Sequence, residues 1–209
     1  MLTINLGVRV TRACEEFARI MGDMNQAPNF NNPLADKRSA YKVSKDTLMG
    51  KLGEAGVILW LKTNGLSVSD LDLAILGVNK RDDGDVKCEG AEISVKTTER
   101  GGFLLVHTAQ LKWELADIYI VCQSGAGHIK MMGYAYKKDL INEDLYSDWI
   151  NQSVDTKDLV GSRAELVLAG EKLPTKNFTM QATNIFIRPE NLRTDFYELL
   201  DYLDGRKYE

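Results

Sequence analysis

The sequence predicts an α/β fold, a mixed central β-sheet flanked by helices, and three observations predict it. Residues 8–22 (VRVTRACEEFARIMG) and about 45–63 place apolar groups at helical spacing. Residues 82–88 and 91–98 read as short strands of alternating character on either side of a Glu89-Gly90 turn. ADIYIVC at 116–122 is an apolar, β-branched run typical of a strand buried on both faces. Helical and extended segments thus alternate along the chain, which favours helices layered on a sheet.

The elements follow in order. Residues 8–22 form an amphipathic helix that ends at Gly22. QAPNFNNPLADKRSAYKVS comes next, rich in Asn, Pro and Ala, and Ser44 is the expected N-cap of a helix over 45–63 that stops at Asn64-Gly65. Within it Leu48, Leu52, Ala55 and Leu59 make the stripe expected to face the core, and Glu54 sits off that stripe. Glycine inside a helix costs roughly 1 kcal/mol relative to alanine, so Gly50 and Gly53 predict that something approaches the helix closely. LDLAILGV at 71–78 reads as a strand, followed by the hairpin of 82–88 and 91–98. Helical spacing returns from His107 to Leu115, ahead of the buried strand at 116–122. GHIKMMGYAYK at 127–137 reads as a further strand, 139–146 as a short helix, TMQATNIFI at 179–187 as a strand, and 190–203 as a closing helix introduced by Arg188-Pro189.

At 209 residues, with no repeat or low-complexity tract, one domain is expected. Hydrophobic residues at 44% and charged residues at 27% match a soluble globular protein. The net charge of -4 and pI near 5.4 argue against a protein that coats nucleic acid by charge alone. They leave room for a metal-dependent nuclease, whose carboxylates are partly neutralised by the ion. Cys14, Cys88 and Cys122 are widely spaced and odd in number, which suggests neither a disulfide framework nor a zinc cluster. With no long apolar segment and no leader-like start, a cytoplasmic protein is expected.

The chemistry concentrates in GDVKCEGAEISVKTTE, residues 84–99. Side chains alternate across a strand, so Glu92, Ser94, Lys96 and Thr98 share one face while Ala91, Ile93 and Val95 share the other. On the preceding strand Asp83, Asp85 and Lys87 form the polar side. A hairpin with its apolar faces together brings Asp85 and Lys96 out on a shared polar face. Magnesium takes one or two carboxylates plus carbonyls and water, and it lowers the pKa of a water that attacks phosphorus. A nearby lysine orients that water or offsets charge building on the phosphate.

This pattern resembles the PD-(D/E)XK nuclease superfamily, the restriction-endonuclease-like fold. The matching residues are Glu54 on the helix before the sheet, Asp85 at the start of a strand, and Ser94-Val95-Lys96 in place of acid, any residue, lysine. KTTERGGFLLVHTAQLKWELADIYIV then resembles the strand, helix and buried strand that complete the family core, with Gln110 on the helix. The resemblance covers roughly residues 45–123. It implies a single nuclease-like domain with its core at about 45–138 and a C-terminal elaboration at 139–209. It further implies a Mg2+-dependent DNA endonuclease, most simply a type II restriction enzyme acting on double-stranded DNA as a homodimer, or else a junction resolvase or repair nickase. Asp85, Glu54, Glu92 and the Val95 carbonyl would hold metal, and Lys96 would assist the water. Ser94 departs from the family pattern, which expects a metal-binding acid there. Glu92, two residues away on the same strand face, and Glu54 are the candidates to replace it, and a non-catalytic binding protein of the same fold is the rival reading.

Basic groups around the acidic centre would contact DNA phosphates: Lys37, Arg38, Lys42, Lys45 and Lys51 leading into the Glu54 helix, and Lys80, Arg81 and Arg100 beside the hairpin. Gln110 joins this candidate surface. His107 reads as a helix cap and His128 as a surface group. Ser124-Gly-Ala-Gly lacks the lysine and Ser/Thr of a P-loop and reads as a tight hairpin turn.

Overall fold

In a computed structural model, which describes residues 1–24, 39–73, 85–99, 101–112, 115–173 and 179–206, the chain opens with β1 (Leu2–Asn5) and α1 (Val8–Met24). α2 (Ala40–Thr63) follows and ends at Asn64, ahead of Gly65 in the left-handed region (φ +81°). Its N-cap is Ser39, whose hydroxyl accepts from the Lys42 N–H, so the helix starts before the expected Ser44. The physical reason is contact with α1: a Cβ at Gly22 would meet the Ala40 carbonyl at 2.8 Å and Ser44 Cβ at 3.0 Å. Glycine there lets the first turns of α2 lie on the end of α1, and Ser44 falls inside the helix.

The expected stripe on α2 is also revised. Glu54, Ala55, Gly56, Val57, Ile58, Trp60 and Leu61 are all buried, whereas Leu59 is 41% exposed. α2 is covered by α1 on one side and by the sheet on the other, so its buried arc is far wider than one stripe. Gly53 is the close approach that the sequence suggested. A Cβ there would fall on Thr97 Oγ1, while one at Gly50 would meet nothing. Gly56 plays the same part against Ile129, at 3.0–3.2 Å.

The sheet is built from β2 (Val86–Cys88), β3 (Ala91–Thr98), β5 (Ile118–Gly125) and β6 (His128–Tyr136), in the order β1-β6-β5-β3-β2. β3 and β5 run parallel and the other neighbours antiparallel, which makes the sheet mixed. The turn at Glu89 (φ 46°) and Gly90 (φ +78°) closes the β2–β3 hairpin, and Gly127 (φ +72°) lies in the tight β5–β6 turn. β4 (Leu104–His107) leaves for a second sheet of order β4-β8-β7, with β7 at Glu165–Val167 and β8 at Asn184–Ile187. Among the described residues of the segment expected to be helical to Leu115, one helical turn is seen, α3 (Thr108–Leu111).

β5 alternates between two cores. Ile118, Ile120 and Cys122 pack with Val57, Ile58 and Leu61 of α2, whereas Tyr119 and Val121 pack with Leu104, Val106 and Ile185 of the second sheet. β6 keeps step through a bulge, where Val121 faces Gly133 and Cys122 faces Met131, so that Met132 is the extra residue. That insertion returns Tyr134 and Tyr136 to the α2 side beside Ile129 and Met131.

The C-terminal third departs most from expectation. α4 (Lys137–Leu140), a 3-10 turn at Glu143–Leu145 and α5 (Tyr146–Ile150) replace one helix at 139–146. Within 179–187 only β8 is a strand. The closing helix is α6 (Phe196–Gly205), capped by Asp195, whose carboxylate accepts from the N–H groups of Tyr197 and Glu198. It cannot begin at 190, because Pro189–Asn191 is a 3-10 turn and Arg193 exchanges both backbone hydrogen bonds with Tyr134. Phe196, Leu199 and Leu203 of α6 join the first core, so the end of the chain completes the layer that α2 begins. The strand expected at 71–78 is not seen at residues 71–73, and the rest of it lies outside the described residues. Among the described residues no helix is long and apolar enough to cross a membrane.

Candidate functional site

Asp85 stands immediately before β2 and reaches across to β3. Its Oδ2 accepts the Val95 N–H at 2.5 Å and the Ser94 hydroxyl at 3.2 Å. The ladder explains why these groups are available. Ile93 pairs with Val86 and faces β2, and Glu92 faces β5, where its N–H meets Asp117 Oδ2 at 3.0 Å and its carbonyl accepts from the Asp117 N–H at 2.9 Å. Val95 therefore faces the β2 side again, and the Asp85 carboxylate takes the N–H there. The Val95 carbonyl leaves the strand in the same direction as its N–H, toward Asp85.

Ser94 is 1% exposed, because parallel pairing sets it beside the buried Tyr119 on the face of the second core. Lys96 stands beyond it on the same face, beside Val121, half-buried and with no ion-pair partner among the described residues. Asp85, Ser94, Val95 and Lys96 thus belong to one hairpin, with Val95 on the face opposite Ser94 and Lys96 and with Asp85 bonded to Ser94 and Val95. The expectation of an open polar face is corrected at Ser94, since the second sheet covers it.

The remaining acids are placed differently. Glu92 is half-exposed, 3.7 Å from Lys87 across the hairpin. Glu54 is buried on α2, with Lys51 Nζ 2.7 Å from its Oε2. That pair lies against α1: Lys51 sits 5.8 Å over the Phe17 ring, and both charges act on the buried Cys14, whose thiol pKa is raised first by burial and then by Glu54. α2 also covers the face of β3 that carries Val95 and Thr97, opposite Ser94 and Lys96. Among the described residues no three His, Cys, Asp or Glu side chains converge as a metal-binding group, so Asp85, Glu54 and Glu92 are not gathered into one.

This donor set fits magnesium in part. One carboxylate oxygen of Asp85 is spent on β3, which leaves Oδ1 and the Val95 carbonyl as oxygen donors of the kind magnesium accepts alongside water. The set suits an ion held largely by water and substrate oxygens.

Among the candidate DNA contacts, Lys51 is corrected. Its side chain is 14% exposed and paired with Glu54, because α1 closes over that part of α2. Lys42 is exposed in the first turn of α2, and Lys45 is exposed but held by Glu99 at 2.7 Å. Lys37, Arg38, Lys80, Arg81 and Arg100 lie outside the described residues. Gln110 is half-buried on α3, and His107 caps that turn, its Nδ1 accepting from the Ala109 N–H at 3.0 Å. Sequence reasoning missed Asp117, which clamps the start of β3; its only signal was an acid directly ahead of a buried strand.

Compared with protein-family models, curated proteins and solved structures, the chain matches none of them.

Proposed function

We propose that this chain is a magnesium-dependent endonuclease that hydrolyses phosphodiester bonds in double-stranded DNA, in the manner of the PD-(D/E)XK enzymes. One observation supports the reading above the others: Asp85 is tied to Ser94 and Val95, the start of the Ser-Val-Lys stretch, while Lys96 on the same face is left without a counter-ion among the described residues. Asp85 Oδ1 and the Val95 carbonyl would hold the ion, with Glu92 the nearest acid along the strand face. Bound there, magnesium would lower the pKa of the attacking water and screen the phosphate. Lys96 would align that water or stabilise the oxygen charge that grows as the new O–P bond forms and the ester bond breaks. Cutting both strands of a duplex is most simply done by two related sites, so a homodimeric restriction enzyme is the leading version. A junction resolvase or a nickase would use the same centre.

The buried Ser94 in the acidic position, with no three ligands converging among the described residues, favours a second reading: a DNA-binding or partner-binding protein of this fold without catalysis. Plasmid cleavage with millimolar Mg2+ separates them. The enzyme reading expects nicked or linear product from the natural sequence, loss of at least about 100-fold in rate for Lys96→Ala, as for a group acting on transition-state charge, and loss of all product with chelator. Intact plasmid under every condition, with DNA still retarded on a gel, establishes the second reading.

A further inference from the structure

Away from the candidate centre, three cations gather at one cleft. Where β5 begins and β6 and α6 end, Asp117, Tyr136, Lys137, Lys138, Tyr202 and Arg206 line a cleft of about 470 Å3. Small-ligand sites commonly measure roughly 300–1,000 Å3. None of Asp85, Ser94, Val95 and Lys96 lines it.

The lysines are held loosely, whereas Arg206 lies 5.8 Å over the Tyr202 ring and donates to the Tyr202 hydroxyl at 3.3 Å. Lys137 Nζ is 3.9 Å from Asp117 and 3.7 Å from Glu143, and Arg206 Nη1 is 3.5 Å from Asp117. Elsewhere Lys62, Lys45 and Arg193 close on their acids at 2.7–2.8 Å. Separations of 3.7–3.9 Å exceed hydrogen-bonding distance, so the ammonium protons of Lys137 remain for another acceptor. Lys138, exposed, sets its Nζ 5.6 Å over the Tyr136 ring and has no carboxylate partner among the described residues. Glu198, the remaining acid of the cleft, is taken by Arg193 at 3.1 Å. The aromatic wall is a Tyr136–Tyr202 pair with centroids 4.9 Å apart, and Tyr202 keeps 41% of its surface exposed.

A simple anion would favour a wall of cations alone. Here unspent N–H donors, two carboxylates at their edge and an exposed ring occur together, which matches a ligand with a phosphate, hydroxyls and an aromatic ring. We propose that this cleft binds a nucleoside phosphate, with the base against Tyr202, the phosphate among Lys137, Lys138 and Arg206, and sugar hydroxyls facing Asp117 and Glu143. Aromatic side chains accept the face of any base, and lysine and arginine are the usual phosphate donors. The site stands independently of the nuclease reading.

Calorimetric titration of the full chain tests it, with AMP as the probe, adenosine and inorganic phosphate as half-ligands, and a 5′-phosphorylated tetranucleotide as a further arm. The expected result is saturable AMP binding, with each half-ligand at least tenfold weaker. Tyr202→Ala and Lys138→Ala should each weaken AMP by about tenfold, the scale of one stacking contact or one charged phosphate contact. Tighter binding of the tetranucleotide than of AMP would assign the cleft to strand ends, and the reverse to free nucleotides. Lys138→Glu, on an exposed side chain, keeps the test open if Tyr202→Ala fails to fold. No saturation by either phosphorylated probe at millimolar concentration, phosphate binding as tightly as AMP, or affinities unchanged in Lys138→Glu overturns the proposal. Plasmid cleavage by Lys138→Glu is measured alongside, so that loss of this site and loss of the nuclease centre are read separately.

Discussion

Ser94 decides how the candidate centre behaves as a residue. Its hydroxyl donates to the same Asp85 oxygen that holds the Val95 N–H, and its side chain is sealed by the second core. Ser94→Asp would set a second carboxylate against Asp85 in a nearly dry place. Like charges there oppose ionisation and folding alike, so the variant should lose about 2 kcal/mol or more without divalent ions. A cation between the two acids should then restore stability, by about 2.7 kcal/mol when free Mg2+ is about 100 times its dissociation constant. Thermal melts with and without Mg2+ check this, and a Ser94→Asp melting point indifferent to Mg2+ counts against a cation at this position. The hairpin part of the site was legible in the sequence, because period-two alternation fixes which of Asp85, Ser94, Val95 and Lys96 share a side. Glu54 was not, because its place depends on how α1 lies over α2, a contact between segments with no mutual sequence signal.

Among the elements, α2 packs against both α1 and the sheet, and Gly53 sets how closely it lies on β3. Alanine in a helix is intrinsically favourable by about 1 kcal/mol over glycine. At position 53, however, the new methyl would collide with Thr97 Oγ1 and stand 3.3 Å from Val95 Cγ1. Overpacking of this kind costs about 1–3 kcal/mol, so Gly53→Ala should destabilise on balance. Thr97→Ala removes the colliding oxygen, which is buried without a hydrogen-bond partner among the described residues. The double variant should therefore recover most of the loss in urea denaturation, and additive losses would refute this contact as the reason for the glycine. The two helices and the strands β2, β3, β5 and β6 were legible because periodicity and turn residues agree there, whereas β4, which joins the second sheet, was not. From residue 137 onward elements are three to ten residues long. Their ends are set by tertiary bonds such as the Arg193–Tyr134 bridge, which no local pattern encodes.

For the whole molecule, the carboxylate of Asp139 joins the end of β6 to the segment that delivers α6. Oδ2 accepts from the Tyr136 N–H at 2.9 Å and from Arg193 Nε at 2.8 Å, and Oδ1 accepts from Arg193 Nη2 at 3.1 Å. Arg163 approaches Oδ1 at 3.4 Å and also binds the Asn191 carbonyl. Burial by itself would raise this carboxyl, but the Arg193 hydrogen bonds, the Tyr136 N–H and the arginine charges outweigh it and hold it below the ordinary range. A depressed pKa means that the folded state gains stability above the unfolded value, about 3.9, and loses it as pH falls through the lower folded value. Asp139→Asn leaves Arg193 without its buried counter-ion and should cost about 3–5 kcal/mol at pH 7. That difference should shrink below about pH 4, where the natural carboxyl takes up its proton in the unfolded chain and then in the folded one. Urea denaturation of both proteins at pH 7 and pH 3 measures the gap, and a gap of equal size at both would show that Asp139 contributes shape rather than charge. Amide exchange reads the same tie element by element. Phe196, Leu199 and Leu203 complete the α2 core, so weakening the Asp139 tie should raise exchange in α6 before it does so in β3 and β5.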